Sequence, residues 1–463
     1  MQRNKTKIVA TIGPVSSSRQ VLLDMINKGM NVARMNFSHG KHEDHEEVIQ
    51  VLREIDGEQS SHTAILADLS GPKIRVGELE SEKVQLIVGE TLGLVSDDSI
   101  GTQQRVSVSY ESLCNDVKKG ETILLDDGKL RVKVEEVKGD VVVTKVTQGG
   151  WLKPRKGVNL PESALTLPSL TDKDKVDLAF ALKHNAAWVA LSFVRTAQDI
   201  EELKQLIESK GGKSRVIAKI EKPEAVENID EIIAASDGIM VARGDLGVEI
   251  PLQNVPLVQK EIVRKCQKAG KPVIIATQMM ESMIDNMSPS RAEVNDVANA
   301  VMDGADAVML SGETSVGQYP VEVVETMSKI IERVEDYDGI YFRDIEHEST
   351  DERLITDAIC HSAVRLASKT KAKGIVTMTF SGYTAFRISS YRPNAWIFVF
   401  TSNFRILNML SLLWGVRGFY YDKFVSTDHT IADIKYELKK AGFLNDDDLL
   451  INIASMPISN KGR

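Results

Sequence analysis

Lys219 and Glu221 stand two residues apart at the end of the apolar run Val216–Glu221. On a strand, side chains two apart leave by the same face. Asp245 closes the next apolar run, Gly238–Asp245. If those runs are neighbouring strands, Glu221 and Asp245 converge and share one hard divalent cation. Two carboxylates completed by water and substrate oxygens suit Mg2+ or Mn2+. An ammonium beside that cation stabilises developing negative charge, on an enolate or a transferring phosphoryl group. Two other readings of Lys219 stay open: a Schiff-base amine of the aldolase kind, which the metal site and Lys222 disfavour, and a plain ion pair with Glu221.

Other run ends are equally polar: Arg34-Met35-Asn36-Phe37-Ser38-His39, Asp68-Leu69-Ser70, Thr277-Gln278 and Ser311-Gly312-Glu313-Thr314. A guanidinium at Arg34 suits phosphate or carboxylate. Gly244 lets backbone approach a ligand, and free N–H groups before the following helix suit a carboxylate. An ion-pair ring explains any one of these ends; so many together argue for a site. His39, His42 and His45 are expected to be solvated, and Met279, Met280 and Met283 to be packing. Gly211-Gly212-Lys213-Ser214 imitates the tail of a phosphate-binding loop, but Ile207 occupies the position of its first glycine.

These ends need a frame that gathers them. Eight short apolar runs, each followed by a helical pattern, occur at 7–13, 31–38, 64–70, 188–194, 216–221, 238–245, 272–278 and 307–311. Continuous apolarity marks strands buried on both faces, as in a parallel sheet. Eight such units point to a closed (β/α)8 barrel, with an open sheet as the alternative. In a barrel the working residues project from the C-terminal strand ends. The expected catalytic barrel is discontinuous, 1–72 and 168–340. Residues 73–167 alternate apolar and polar, with turn signals at Asp126-Asp127-Gly128 and Lys138-Gly139-Asp140. They read as an inserted β domain placed to act as a lid. After a polar linker near 344–353, residues 345–463 read as a C-terminal α/β domain with strands near 374–379, 396–401 and 449–453.

Composition sets the bounds. The 463 residues carry 57 Lys and Arg against 66 Asp and Glu, a net charge of −9, with 42% hydrophobic and 27% charged residues. A globular multidomain chain fits; a protein that coats nucleic acid does not. Three scattered cysteines fit a reducing compartment. No apolar run is long enough to span a membrane, and the basic N-terminus lacks the apolar segment of a signal peptide. The expected location is the cytoplasm.

Five segments resemble the pyruvate kinase family: Ala10-Thr11-Ile12-Gly13-Pro14, 31–40 (NVARMNFSHG), 156–161 (KGVNLP), 240–249 (MVARGDLGVE) and 309–314 (MLSGET). They are long and follow the family's order along nearly the whole chain. The resemblance implies a barrel, a lid and a C-terminal regulatory domain, and phosphoryl transfer from phosphoenolpyruvate to ADP, giving ATP and pyruvate. It implies that Arg34 holds the transferring phosphate, Glu221 and Asp245 bind Mg2+ or Mn2+, and Lys219 stabilises the transition state. Gly244, Asp245 and Thr277 would hold the substrate carboxylate, with Thr277 also in a proton relay. Arg75, Lys156, Asn36 and His39 would meet nucleotide phosphates. It implies a homotetramer and a phosphorylated allosteric effector.

The chain departs from the family pattern in three places. Asp68-Leu69-Ser70-Gly71-Pro72-Lys73-Ile74-Arg75 carries Lys73 where many members have a glutamate and require K+. An ammonium there would replace K+ among Asn36, Ser38, Asp68 and Leu69, so activity independent of K+ is expected. Phe380 stands where a lysine often sits in the sugar-phosphate loop, which makes fructose 1,6-bisphosphate doubtful as the effector. The chain stops at Lys461-Gly462-Arg463, where the family usually continues into a further strand. The competing functions are another metal-dependent, enolate-forming barrel enzyme (an aldolase or lyase) and a non-catalytic phosphometabolite sensor.

Overall fold

The computed structural model describes residues 4–59, 61–163, 165–341, 353–423 and 425–453. Eight parallel strands close into a barrel: β1 (Lys7–Thr11), β2 (Met30–Asn36), β3 (Ala64–Asp68), β4 (Trp188–Leu191), β5 (Arg215–Ile220), β6 (Gly238–Ala242), β7 (Val273–Ala276) and β8 (Ala307–Leu310). Each pairs with its sequence neighbours, and β8 closes on β1. The open sheet is thereby excluded.

Strand parity decides what faces inward. Val9, Val32, Leu66, Ala190, Ile217, Met240, Ile274 and Met309 fill the barrel. Ile8, Ala33, Ile65, Val189, Val216, Ile239, Ile275 and Val308 pack outward under the helices. Continuing the inward parity upward places Thr11, Arg34, Asp68, Ser192 and Lys219 at the mouth. Helix boundaries follow local chemistry: Ser290 caps Arg291–Asp303 in a capping box, and left-handed Gly304 ends it.

Between β3 and β4 the chain leaves the barrel. It builds a six-stranded sheet ordered Val158–Asn159, Thr122–Leu125, Leu130–Lys138, Val141–Gln148, Thr91–Val95, Arg105–Ser107. Its separate core includes Leu92, Leu94, Ile123, Leu125, Val132 and Val142. Positive φ at Asp126, Asp127, Gly128 and Gly139 makes the two turns that the sequence signals.

The C-terminal unit is a four-stranded parallel sheet, Val416–Tyr420, Trp396–Thr401, Gly374–Met378, Leu450–Ile453. The strand Val416–Tyr420 is not apparent in the sequence because Arg417 and Gly418 interrupt its apolar run. This unit docks on the N-terminal strand ends. Lys7 Nζ donates to Val416 O at 2.9 Å, Trp188 Nε1 to Met409 O at 3.2 Å, and Arg392 pairs with Asp306 at 2.8 Å. The barrel's inner core runs directly into Ala363, Ile388 and Leu410 of that unit. The linker expected near 344–353, except Arg353, and the chain end at 461–463 lie outside the described residues. Among the described residues no helix is long and apolar enough to cross a membrane.

Candidate active site

The ends of β2 and β5 converge on Asp68, at the end of β3. Asp68 Oδ2 accepts from Arg34 Nε at 2.6 Å, and Asp68 Oδ1 lies 3.3 Å from Lys219 Nζ. Arg34 also donates to Thr11 Oγ1 at 2.8 Å, so β1, β2, β3 and β5 are tied together at the mouth. Lys219 Nζ lies 3.0 Å from Glu221 Oε1 and donates to Ser192 Oγ at 2.7 Å. Burial opposes charge on Lys219, but Asp68 and Glu221 outweigh it and hold its pKa above the ordinary lysine value. With two carboxylates and the Ser192 hydroxyl on its ammonium, Lys219 is placed as a fixed charge, which disfavours the Schiff-base reading. Burial also acts against the Asp68 carboxylate, yet Lys219 and Arg34 keep its pKa below the usual range.

Glu221 is buried and accepts from Phe193 N at 2.8 Å. Its pKa is raised by burial and further by facing Asp245, while Lys219 opposes the rise. Two carboxylates that repel across a half-polar mouth fit a shared divalent cation, whose charge would relieve that repulsion. Among the described residues no group of three or more His, Cys, Asp or Glu side chains is placed to hold a metal.

Lys73 pairs with Asp245, Nζ to Oδ1 at 3.3 Å. The expectation placed its ammonium among Asn36, Ser38 and Asp68. The geometry differs because the Asp68 carboxylate is already engaged by Arg34 and Lys219. Asn36 and Asp68 are register partners, Asn36 Oδ1 accepts from Ser38 N at 3.1 Å, and buried Leu69 follows on β3. The positive charge of Lys73 still reaches this turn: together with Arg75 and Arg34 it adds to burial in lowering the pKa of His39.

At the end of β7, Thr277 and Gln278 have φ of +68° and +55°, left-handed values in side chains that rarely adopt them. Consecutive strained residues of this kind concentrate at functional sites. The turn brings Thr277 Oγ1 to Gly244 N, which donates to it at 2.7 Å. A Cβ on Gly244 would lie only 3.3 Å from that oxygen. The N–H expected to be free at Gly244 is therefore engaged by Thr277. Arg243 turns away and forms a two-pronged pair with Asp296, both contacts at 2.7 Å.

On the lid side, Arg75 Nη1 donates to Arg155 O at 3.1 Å and Lys156 pairs with Asp126 at 3.0 Å. The structure thus brings Arg34, Asp68, Lys219 and Glu221 into one contact network and Gly244 and Thr277 into a second. Lys73 and Asp245 pair beside them, while Lys156 rests on the lid's own acid.

Residues 3–324 match the family model described as "Pyruvate kinase, barrel domain", and 357–463 match "Pyruvate kinase, alpha/beta domain". The chain belongs to the pyruvate kinase family. It is 42% identical to "Pyruvate kinase" of Clostridium perfringens over 99% of this chain and 98% of that protein. It is 45% identical to that of Geobacillus stearothermophilus over 99% of this chain and 79% of that protein. A crystal structure of a pyruvate kinase from Cryptosporidium parvum superposes with a TM-score of 0.93 at 39% identity, covering 99% of this chain and 95% of that one. As a pyruvate kinase, the chain is a phosphotransferase of glycolysis.

Several residues that shape this site are not evident in the sequence. Ser192 and Phe193 follow β4 and carry no charge of their own to flag them, yet they contact Lys219 and Glu221. Thr11 lies in a segment that carries the family resemblance, but nothing in the sequence pairs it with Arg34. Of the three histidines expected to be solvated, His39 is exposed, while His42 and His45 are drawn into packing. His45 is buried against Phe37 with ring centroids 4.9 Å apart, and His42 stacks on Phe180 while pairing with Asp177 at 2.7 Å. The helix His42–Gln59 turns that face onto the barrel, so their spacing serves packing.

Proposed function

We propose that this pyruvate kinase transfers the phosphoryl group of phosphoenolpyruvate to ADP with a divalent cation, Mg2+ or Mn2+, held by Glu221 and Asp245. The observation that carries the assignment of roles is the Lys219 ammonium, 3.3 Å from Asp68 and 3.0 Å from Glu221 at the barrel mouth. Arg34, oriented by Asp68 and Thr11, binds the transferring phosphoryl group. A β-phosphate oxygen of ADP attacks phosphorus, the bond from phosphorus to the enol oxygen breaks, and the electron pair remains as an enolate. Lys219 stabilises that charge. The cation, when bound, offsets charge on substrate oxygens. Gly244 and Thr277 orient the substrate carboxylate, which competes for the Gly244 N–H now held by Thr277. Thr277 belongs to the relay that delivers a proton to the enolate carbon, yielding pyruvate. Arg75, Lys156, Asn36 and His39 contact nucleotide phosphates.

Lys73 makes the reaction independent of K+. Its charge sits at the mouth on Asp245 and acts on His39, where a bound K+ would be repelled. In the C-terminal unit, exposed Phe380 offers no cation to a sugar phosphate. Either a different phosphorylated effector or none acts there. All three cysteines are free, which supports the reducing cytoplasm. Assembly is as a homotetramer, as the family resemblance implies.

ATP formation from phosphoenolpyruvate and ADP tests this reading. Lys219→Met is expected to lower turnover about 10²–10³-fold. Near-parental turnover would remove the role given to Lys219, and a parent that forms no ATP would remove the function. Proton exchange of pyruvate reports separately on Thr277→Ala.

A further inference from the structure

The lid meets the barrel through a short ribbon made by its two chain crossings. Val76 N donates to Lys156 O at 2.8 Å, Val158 N to Ile74 O at 3.0 Å, and Arg75 bridges Gly157 in antiparallel fashion. Each strand of the ribbon clips onto the helix Arg243–Glu249. Lys73 takes Asp245, and Asn159 Nδ2 donates to Glu249 Oε1 at 2.7 Å. Asp245 and Glu249 are four residues apart, one helical turn and about 6 Å, and so share a face. The hairpin tip lies beside the same helix: a Cβ on Gly128 would come within 3.7 Å of Val248 Cγ1.

Glu249 is an unusual place for an acid. It is buried, and it ends its helix, where the backbone dipole disfavours negative charge. Lys222, next to Glu221 at the end of β5, neutralises it with Nζ 2.7 Å from the same Oε1. One oxygen therefore joins the lid at Asn159, the helix that carries Asp245, and the residue after Glu221. All three partners are buried, and Oε2 has no hydrogen-bond partner among the described residues. Stability alone does not favour this arrangement, since a buried ion pair seldom outperforms apolar packing of the same volume.

We propose that Glu249 is a positioning residue that latches the nucleotide-binding lid to the barrel through Asn159 and so holds the lid closed over the nucleotide. This rests on the reading above that the lid carries nucleotide contacts. Loss of the latch frees the lid and weakens contacts to the nucleotide, while phosphoenolpyruvate, held within the barrel, is little affected.

The test is steady-state kinetics of the full-length chain. Asn159→Ala is expected to raise KM for ADP about tenfold, the scale of a lost hydrogen bond to a charged group, with KM for phosphoenolpyruvate within about twofold of the parent. Asn159→Asp sets a second carboxylate against Glu249 and is expected to raise KM for ADP further. Adding Glu249→Gln to Asn159→Asp exchanges donor and acceptor and is expected to return KM for ADP to within about threefold of the parent. Equal rises in both KM values, or no rescue by the paired change, would overturn the latch. So would an unchanged KM for ADP in Asn159→Ala while Lys156→Ala raises it. If Lys156→Ala also leaves it unchanged, the lid is not a nucleotide contact and the latch falls with that reading.

Discussion

Lys73 stands on Asp245, its ammonium 3.3 Å from Oδ1, at the point where the lid's first strand leaves the barrel. The contact puts a fixed cation beside a carboxylate proposed to hold the divalent ion. Parental initial rates in a tetramethylammonium buffer are therefore expected to change less than about twofold on adding KCl. Lys73→Glu should lower the K+-free rate by about tenfold or more and make it respond to KCl, since an added like charge beside Asp245 and Glu221 calls for a counter-ion. A many-fold K+ response in the parent would contradict this.

Asp68 has an apolar barrel below it and a cation on each oxygen. In Asp68→Asn the Arg34 and Lys219 charges remain buried and face each other, and both lose the group that orients them. Turnover is expected to fall about 10²-fold, the scale of misplacing a reacting group by roughly 1 Å. Coupled-assay kcat checks this, and a loss confined to KM would show that Asp68 only binds.

Arg392 joins the C-terminal unit to the barrel floor. It donates to Asp306 at 2.8 Å and Gly304 O at 2.7 Å, lies over Trp414, and is 2% exposed. Arg392→Met leaves Asp306 buried without its cation. A destabilisation of about 3–5 kcal/mol is expected, with the C-terminal unit separating first. Calorimetry should show a lowered or split transition, and an unchanged single peak would contradict the account.

His45 supplies a pH dependence whose sign is fixed. Burial holds its pKa below the ordinary value of 6.5 in the folded chain, although its contact with His39 O opposes the shift. The folded state therefore favours the neutral ring. Its contribution is complete above pH 6.5 and is lost as pH falls through the lowered folded value. The thermal-midpoint gap between parent and His45→Gln should be largest near pH 7.5 and narrow toward pH 5.5. A gap that widens in acid would reverse the assignment.

Much of this was legible in the chain before folding. Buried-strand runs marked the eight barrel strands, and alternation with Asp-Asp-Gly and Lys-Gly-Asp turns marked the inserted β domain. The two-residue spacing of Lys219 and Glu221 placed both at one mouth, because strand period is a property of the backbone and needs no partner. Val416–Tyr420 escaped notice because its apolar run is broken by Arg417 and Gly418, and only pairing with Trp396–Thr401 makes it a strand.

Residue type and spacing alone determined which groups lie at the strand ends and which way they face. Tertiary structure decided which charge meets which: Lys73 with Asp245 and not Asp68, Gly244 N with the Thr277 hydroxyl, and Glu249 shared between Asn159 and Lys222. Those pairings join residues 27 to 172 positions apart. Coulomb energy and hydrogen bonding act over a few ångströms, so distances that do not exist until the barrel closes and the lid docks set the partners.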